Sequence, residues 1–136
     1  MIDARTALIV DDEADIRELI EMTLLPLGVS CQPAETLSAA RILLKRQTFG
    51  LCITDLRLPD GSGLDLVAYI QKQYPNLPVA VITAHGNVEI AVEALKRGAS
   101  DYFSKPWDNE KLLIEIGRMI SKRRLETENR QLKRAL

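Results

Sequence analysis

The sequence predicts an α/β fold in which five parallel strands form one doubly wound sheet covered by helices on both faces. Three observations predict it. Five short aliphatic or β-branched runs, at 7–10, 29–32, 51–54, 79–83 and 101–104, alternate with longer amphipathic stretches, the order that parallel strands joined by crossover helices require. The first, third and fourth runs carry apolar residues on both faces, as central strands do, whereas Gln32 and the short fifth run suit edges. The residues that bear chemistry stand directly after the runs, and in open parallel sheets functional groups gather outside the carboxyl ends of the strands.

The helices follow from spacing. Ile16, Leu19, Ile20 and Leu24 mark a first apolar stripe, and Leu37, Ala40 and Leu44 a weaker second one. A third helix follows Gly63, with Leu66, Ile70 and Tyr74 one turn apart, and Pro75 stops it because proline cannot continue the hydrogen-bond ladder. Val88, Ala91, Val92 and Leu95 mark a fourth helix with a thin apolar payload, ended by Gly98, which makes it the element best suited to shift. Asp108 can cap the last helix, whose Leu112, Leu113, Ile116, Met119 and Ile120 face the core.

That helix does not stop with the domain. The globular unit is expected over 1–121, and 122–136 continue as a charged helical linker in which Leu125, Asn129, Leu132 and Leu136 alternate at spacings of four and three, a coiled-coil seam of little more than two heptads. An Asn at an a position favours a two-stranded register; the alternative is a solvated helix extension. The basic residues Lys122, Arg123, Arg124, Arg130, Lys133 and Arg134 read as flanks of that seam rather than a nucleic-acid surface.

Composition narrows the function classes. The chain has 136 residues, 46% hydrophobic, with 18 Lys and Arg against 19 Asp and Glu, so it can bury a core and carries no strong overall field for nucleic acid or anionic lipid. No apolar run is long enough to span a membrane and no signal segment is apparent, so a soluble cytoplasmic protein is expected. Cys31 and Cys52 form neither a zinc half-site nor a CxxC redox pair, and Cys52 reads as core.

Four strands deliver their end groups to one rim: Asp11, Asp12 and Glu13 from the first, Asp55 from the third, Thr83 from the fourth and Lys105 from the fifth. Clustered carboxylates repel and call for a cation; all-oxygen ligands favour Mg²⁺, which also binds phosphate oxygens. Lys105 can pair with a carboxylate or a phosphoryl oxygen, and Asp55, with a hydroxyl from Thr83 nearby, has the surroundings of a nucleophilic carboxylate that forms an aspartyl phosphate. Gly61 and Gly63 match no phosphate-cradling fingerprint and read as turn residues. His85, the single histidine, reads as a solvent-facing loop residue, and Trp107 as packing or surface.

Val10-Asp11-Asp12-Glu13, Thr54-Asp55 with Leu58-Pro59-Asp60-Gly61, Thr83-Ala84 and Ser104-Lys105-Pro106 resemble the motifs of two-component response-regulator receiver domains, and together they span nearly the whole domain. The resemblance implies the flavodoxin-like strand order 2-1-3-4-5, phosphorylation of Asp55 by a sensor histidine kinase, and Mg²⁺ held directly by Asp12 and Asp55, mainly through water by Asp11, and by the backbone carbonyl of Arg57. It further implies that Lys105 contacts the phosphoryl group, that Pro106 follows a cis peptide, and that Arg57 and His85 flank the site. Thr83 and Phe103 are expected to act as a switch, the hydroxyl moving toward the phosphoryl group and the ring turning inward behind it, so that the fourth helix moves most.

The Asp55–Gly61 and Thr83–Gly86 runs and the tail at Glu128 and Asn129 are similar to the nitrogen-regulation class of sigma-54-dependent activators. This implies a homodimer through the last helix or the fourth-helix face, and action on DNA and sigma-54 RNA polymerase only through further domains. Two other classes compete. A phosphohydrolase with an aspartyl-phosphate intermediate would want an acid two residues after the nucleophile, where Arg57 stands. A flavin-binding domain would meet repulsion at the acidic end of the first strand.

Overall fold

The structure, a computed structural model, describes the backbone of residues 5–135 and the side chains of residues 5–122. Strand β1 (Thr6–Val10) leads into α1 (Ala14–Leu24) and a 3-10 turn (Leu25–Leu27), followed by β2 (Ser30–Ala34) and α2 (Leu37–Arg46). Then come β3 (Leu51–Thr54), the two-residue strands β4 (Arg57–Leu58) and β5 (Gly61–Ser62), α3 (Gly63–Gln73), β6 (Val79–Thr83), α4 (Val88–Lys96), β7 (Asp101–Ser104) and α5 (Asn109–Ala135). The main sheet is parallel in the order β2-β1-β3-β6-β7, which is 2-1-3-4-5 when the five long strands are counted. The antiparallel β4–β5 hairpin was not expected from the sequence; two residues per strand leave no periodicity to detect.

Strand alternation splits the core in two. Leu8, Val10, Cys52, Val79 and Val81 face α2, α3 and α4, against Leu37, Leu66, Ile70 and Ala94. Ala7, Ile9, Ile53, Ile82 and Phe103 face α1 and α5, against Ile20, Leu24, Leu112 and Ile116. Central β1, β3 and β6 are buried on both faces apart from Thr6 at the start of β1, and β2 and β7 are the partly exposed edges, as expected. β2 runs later than the 29–32 expected. Pro33, which cannot donate a hydrogen bond, is tolerated because an edge strand pairs on one side only.

The first stripe covers the core except at Leu19, and the α4 stripe points outward rather than inward. Leu19 is 50% exposed on α1, where Ile20 and Leu24 make the core contact. On α4, Val88, Val92 and Leu95 are 80%, 44% and 50% exposed, and Ala94 supplies the buried contact. A helical pattern shows that one face is apolar but not what covers it. Asp108 caps α5 as expected, its carboxylate accepting from the Lys111 amide at 3.0 Å. The seam residues Leu125, Asn129, Leu132 and Leu136 lie outside the residues whose side chains are described. Among the described residues, no helix is long and apolar enough to cross a membrane.

Candidate functional site

The parallel register assembles the site. Val10 lies opposite Thr54 and Thr83 opposite Ser104, so that Asp11 and Asp55 leave adjacent strands side by side and Lys105 follows next to Thr83. Backbone bonds continue the ladders one step past the strands: Asp55 N donates to Val10 O at 2.9 Å, Asp11 N to Ala34 O at 3.0 Å and Lys105 N to Thr83 O at 3.0 Å. Lys105 is presented by a cis peptide to Pro106.

The carboxylates of Asp11, Asp12 and Asp55 each offer an oxygen within 4.8 Å of the others. Lys105 Nζ donates to Asp11 Oδ2 at 2.7 Å and to Asp55 Oδ2 at 2.9 Å. Asp55 Oδ1 accepts from the amides of Leu56 at 2.6 Å and Arg57 at 3.4 Å. Three carboxylates thus face one ammonium, an excess of two negative charges on oxygen donors alone. That donor set fits a hard divalent cation such as Mg²⁺.

Burial acts to raise the Asp55 carboxyl, but the Thr83 hydroxyl, the Lys105 ammonium and the Leu56 amide outweigh it and hold the group below its usual range. Burial likewise opposes the charge on Lys105, and its hydrogen bonds to Asp11 and Asp55 overcome this and raise its pKa. A depressed carboxyl stabilises the fold above its unfolded pKa, near 4, and loses that contribution as pH falls through the lower folded value. A raised lysine stabilises fully below its unfolded pKa, near 10, and loses its contribution as pH rises through the higher folded value. The Asp55–Lys105 pair therefore stabilises across the neutral range. Lys105→Met is expected to lower stability at pH 7 by about 2 kcal/mol, less than for a fully buried pair because the site opens to solvent. Urea unfolding at pH 7 and pH 3 checks this, the difference narrowing at the lower pH, which lies below the carboxyl's unfolded pKa near 4.

Thr83 is buried, its hydroxyl accepting from the His85 amide at 3.1 Å while flanking Asp55. A hydroxyl that accepts from its own loop can still donate its proton, here toward the Asp55 carboxylate. Arg57 and His85 are exposed at the rim, and His85 lines a cleft of about 710 Å³ that runs from Asp55 past Trp107 to Leu19 and Met22 on α1.

Phe103 does not sit where a switch ring following Thr83 would sit. It is packed in the α1/α5 core, on the sheet face opposite α4. Its neighbour Tyr102 is the ring that meets the 83–87 loop, with its hydroxyl buried and unpartnered. A side chain at Gly86 would overlap that hydroxyl. Burial raises the Tyr102 phenol pKa, and the charge of Asp55 adds to the effect. Strand alternation was the available signal, since adjacent residues of β7 must point to opposite faces.

Gly63 is more than a turn residue. It opens α3, donates to Leu56 O at 2.8 Å, and lies so close to Asp55 that a Cβ there would overlap the Asp55 carbonyl oxygen.

A family-wide sequence model for the response regulator receiver domain matches residues 7–117. Response regulator protein PilR of Pseudomonas aeruginosa is 51% identical over 90% of this chain, and DNA-binding transcriptional regulator NtrC of Proteus hauseri 36% identical over 83%. The chain spans 27% and 24% of those two proteins, about a quarter of the length of the curated relatives it matches. Among solved structures, the beryllofluoride-activated NtrC4 receiver domain dimer superposes with a TM-score of 0.82 at 33% identity, covering 88% of this chain and 98% of that one. The receiver domain of NtrX from Brucella abortus gives 0.79 at 36% identity, covering 85% and 98%.

Proposed function

The chain belongs to the family of response regulator receiver domains, the aspartate-phosphorylated signalling domains of two-component systems, and from that premise we propose that Asp55 is its phosphoacceptor. The observation that carries the assignment is the convergence of Asp11, Asp12 and Lys105 on one carboxylate at the end of β3. The Asp55 carboxylate attacks the phosphorus of a kinase phosphohistidine; the P–O bond forms, the P–N bond breaks, and the imidazole leaves. Asp12 and Asp55 would hold Mg²⁺ directly, Asp11 mainly through water, and Arg57 by its backbone carbonyl, the metal supplying charge neutralisation at the phosphoryl oxygens. Lys105, already bridging two carboxylates, turns one of its donors to a phosphoryl oxygen, and the Thr83 hydroxyl, which flanks the Asp55 carboxylate, donates to another.

The new oxygens and about two added negative charges favour the loop arrangement in which Thr83 turns toward them. We assign the aromatic side of this relay to Tyr102 in place of Phe103, because Tyr102 borders both the loop and α4. Incubation with Mg²⁺ and acetyl phosphate is expected to add one phosphoryl group per chain, read by intact mass. Sustained phosphate release from unrelated esters would instead support a hydrolase, a reading already disfavoured by the exposed Arg57 where the leaving-group acid would stand.

For the whole protein we propose a cytoplasmic, sigma-54-dependent transcription activator in which residues 1–121 are the receiver and 122–136 the linker to an ATPase and a DNA-binding domain. The chain itself turns over no substrate beyond its own phosphorylation and dephosphorylation. The outward Val88, Val92 and Leu95 of α4 and the continuation of α5 are the surfaces for a homodimer, a state in which the NtrC4 receiver was solved. Sedimentation with beryllofluoride is expected to show a dimer that weakens when the chain ends at Ser121 or when Val92 is replaced by Glu. The same monomer mass for all three would exclude both surfaces.

A further inference from the structure

Two loops that carry the acidic residues rest on one place, the junction of β2 with α2. From the β1–α1 side, Arg17 Nη1 donates to the Asp11 backbone carbonyl at 2.7 Å, and its Nη2 lies 3.5 Å from Glu35 at the end of β2. The Arg17 side chain is only 15% exposed, and the Asp11 amide is tied to Ala34 O at 3.0 Å. From the β3–α3 side, the Asp60 carboxylate accepts from the amides of Leu37 at 2.8 Å and Ser38 at 3.0 Å, the first two residues of α2. The helix's own cap, Thr36, accepts from Ala39 at 3.0 Å. Asp60 thus takes the two free amides that the local cap leaves over, across a separation of more than twenty residues. Gly61, at φ +150, lets the hairpin lie flush on Leu37.

We propose that Arg17 and Asp60 are positioning residues for the divalent-cation site: each fastens one ligand-bearing loop to the β2–α2 junction, so that the carboxylates of Asp11, Asp12 and Asp55 are at cation spacing before a cation arrives. The inference rests on the reading of Asp55 as a metal-assisted phosphoacceptor. Its physical basis is the repulsion among the three carboxylates, which Lys105 offsets only in part and which would spread the loops unless something outside the site held them. Outer partners that orient metal ligands have effects of this kind. The charge of Arg17 separates positioning from simple electrostatics. A nearby cation disfavours a second one, so electrostatics alone predicts tighter Mg²⁺ binding when Arg17 is neutralised, and positioning predicts weaker binding.

Calorimetric titration of the full chain with Mg²⁺ tests this in Arg17→Gln, Asp60→Ala and the conservative Asp60→Asn, each below its own melting temperature. Arg17→Gln and Asp60→Ala are expected to bind about tenfold more weakly, with part of the loss recovered in Asp60→Asn, whose amide oxygen still accepts from one backbone N–H. In phosphorylation by acetyl phosphate, the half-saturating Mg²⁺ concentration should rise by the same factor while the rate at saturating Mg²⁺ stays unchanged. Unchanged or tighter Mg²⁺ binding in the folded variants, or a fall in the saturating rate without a change in affinity, would overturn the proposal. A wild-type chain that bound no Mg²⁺ would overturn the reading of the site beneath it.

Discussion

Asp55→Asn is expected to give a folded chain that takes up no phosphoryl group from acetyl phosphate or a kinase. The amide keeps the volume of the carboxyl and an oxygen that can accept from Leu56, so the loop keeps its main tether. It loses the charge that makes the group a nucleophile, and a neutral amide does not attack phosphorus at a useful rate. The lost charge also removes the net favourable pairing with Lys105 that holds the Asp55 carboxyl below its usual range, so the melting temperature at pH 7 should fall modestly. Intact mass after incubation with Mg²⁺ and acetyl phosphate reads the first outcome and thermal unfolding the second. A variant that gained mass at the wild-type rate would remove Asp55 from the centre of the mechanism.

Gly63→Ala is expected to be the most damaging small substitution in the domain. A Cβ there would overlap the Asp55 carbonyl oxygen and come within 2.9 Å of its carbon and 3.0 Å of Leu56 Cα. All three are backbone atoms, so no rotamer change can make room, and the 55–63 loop must open. Overpacking of this kind costs about 3 kcal/mol, a fall in melting temperature of roughly 10–15 °C for a domain of this size. The same displacement moves the Asp55 carboxylate, and a misplacement near 1 Å costs on the order of a hundredfold in rate. A variant with wild-type stability and wild-type phosphorylation would show that the loop is softer than its contacts indicate. The Asp55→Asn and Gly63→Ala effects differ in kind, since one removes the reacting group and leaves the frame while the other distorts the frame and leaves the group.

Much of the site was legible because it is encoded locally. Asp11, Asp12, Asp55, Thr83 and Lys105 each follow an apolar run, and parallel strands must place such residues on one rim. Gly63 and Asp60 were visible as letters but not as contacts. The bond from Asp60 to Leu37 and Ser38 joins segments that no periodicity links. Arg17 looked like an ordinary polar position on α1, because nothing in a helical pattern shows that its guanidinium reaches back to the Asp11 carbonyl. Tyr102 borders the 83–87 loop and Phe103 the opposite sheet face, which a strand recognised without asking which of its faces looks toward α4 does not reveal.

By itself, the sequence determined the parallel α/β class, its five strands, the central position of three of them and the identity of the groups at the rim. Those features depend on short-range alternation and on residues directly following a strand, which a chain carries along its length. Only the tertiary structure decided which side of each apolar stripe is covered, so that Val88, Val92 and Leu95 face outward. It alone showed Tyr102 rather than Phe103 against the 83–87 loop, and both acidic loops tied to the β2–α2 junction, one through Arg17 to Glu35 and the other through Asp60 to Leu37 and Ser38. The physical reason is that burial and cross-chain hydrogen bonds are properties of pairs of segments, and the packing that brings such pairs together is set by the whole core rather than by either segment.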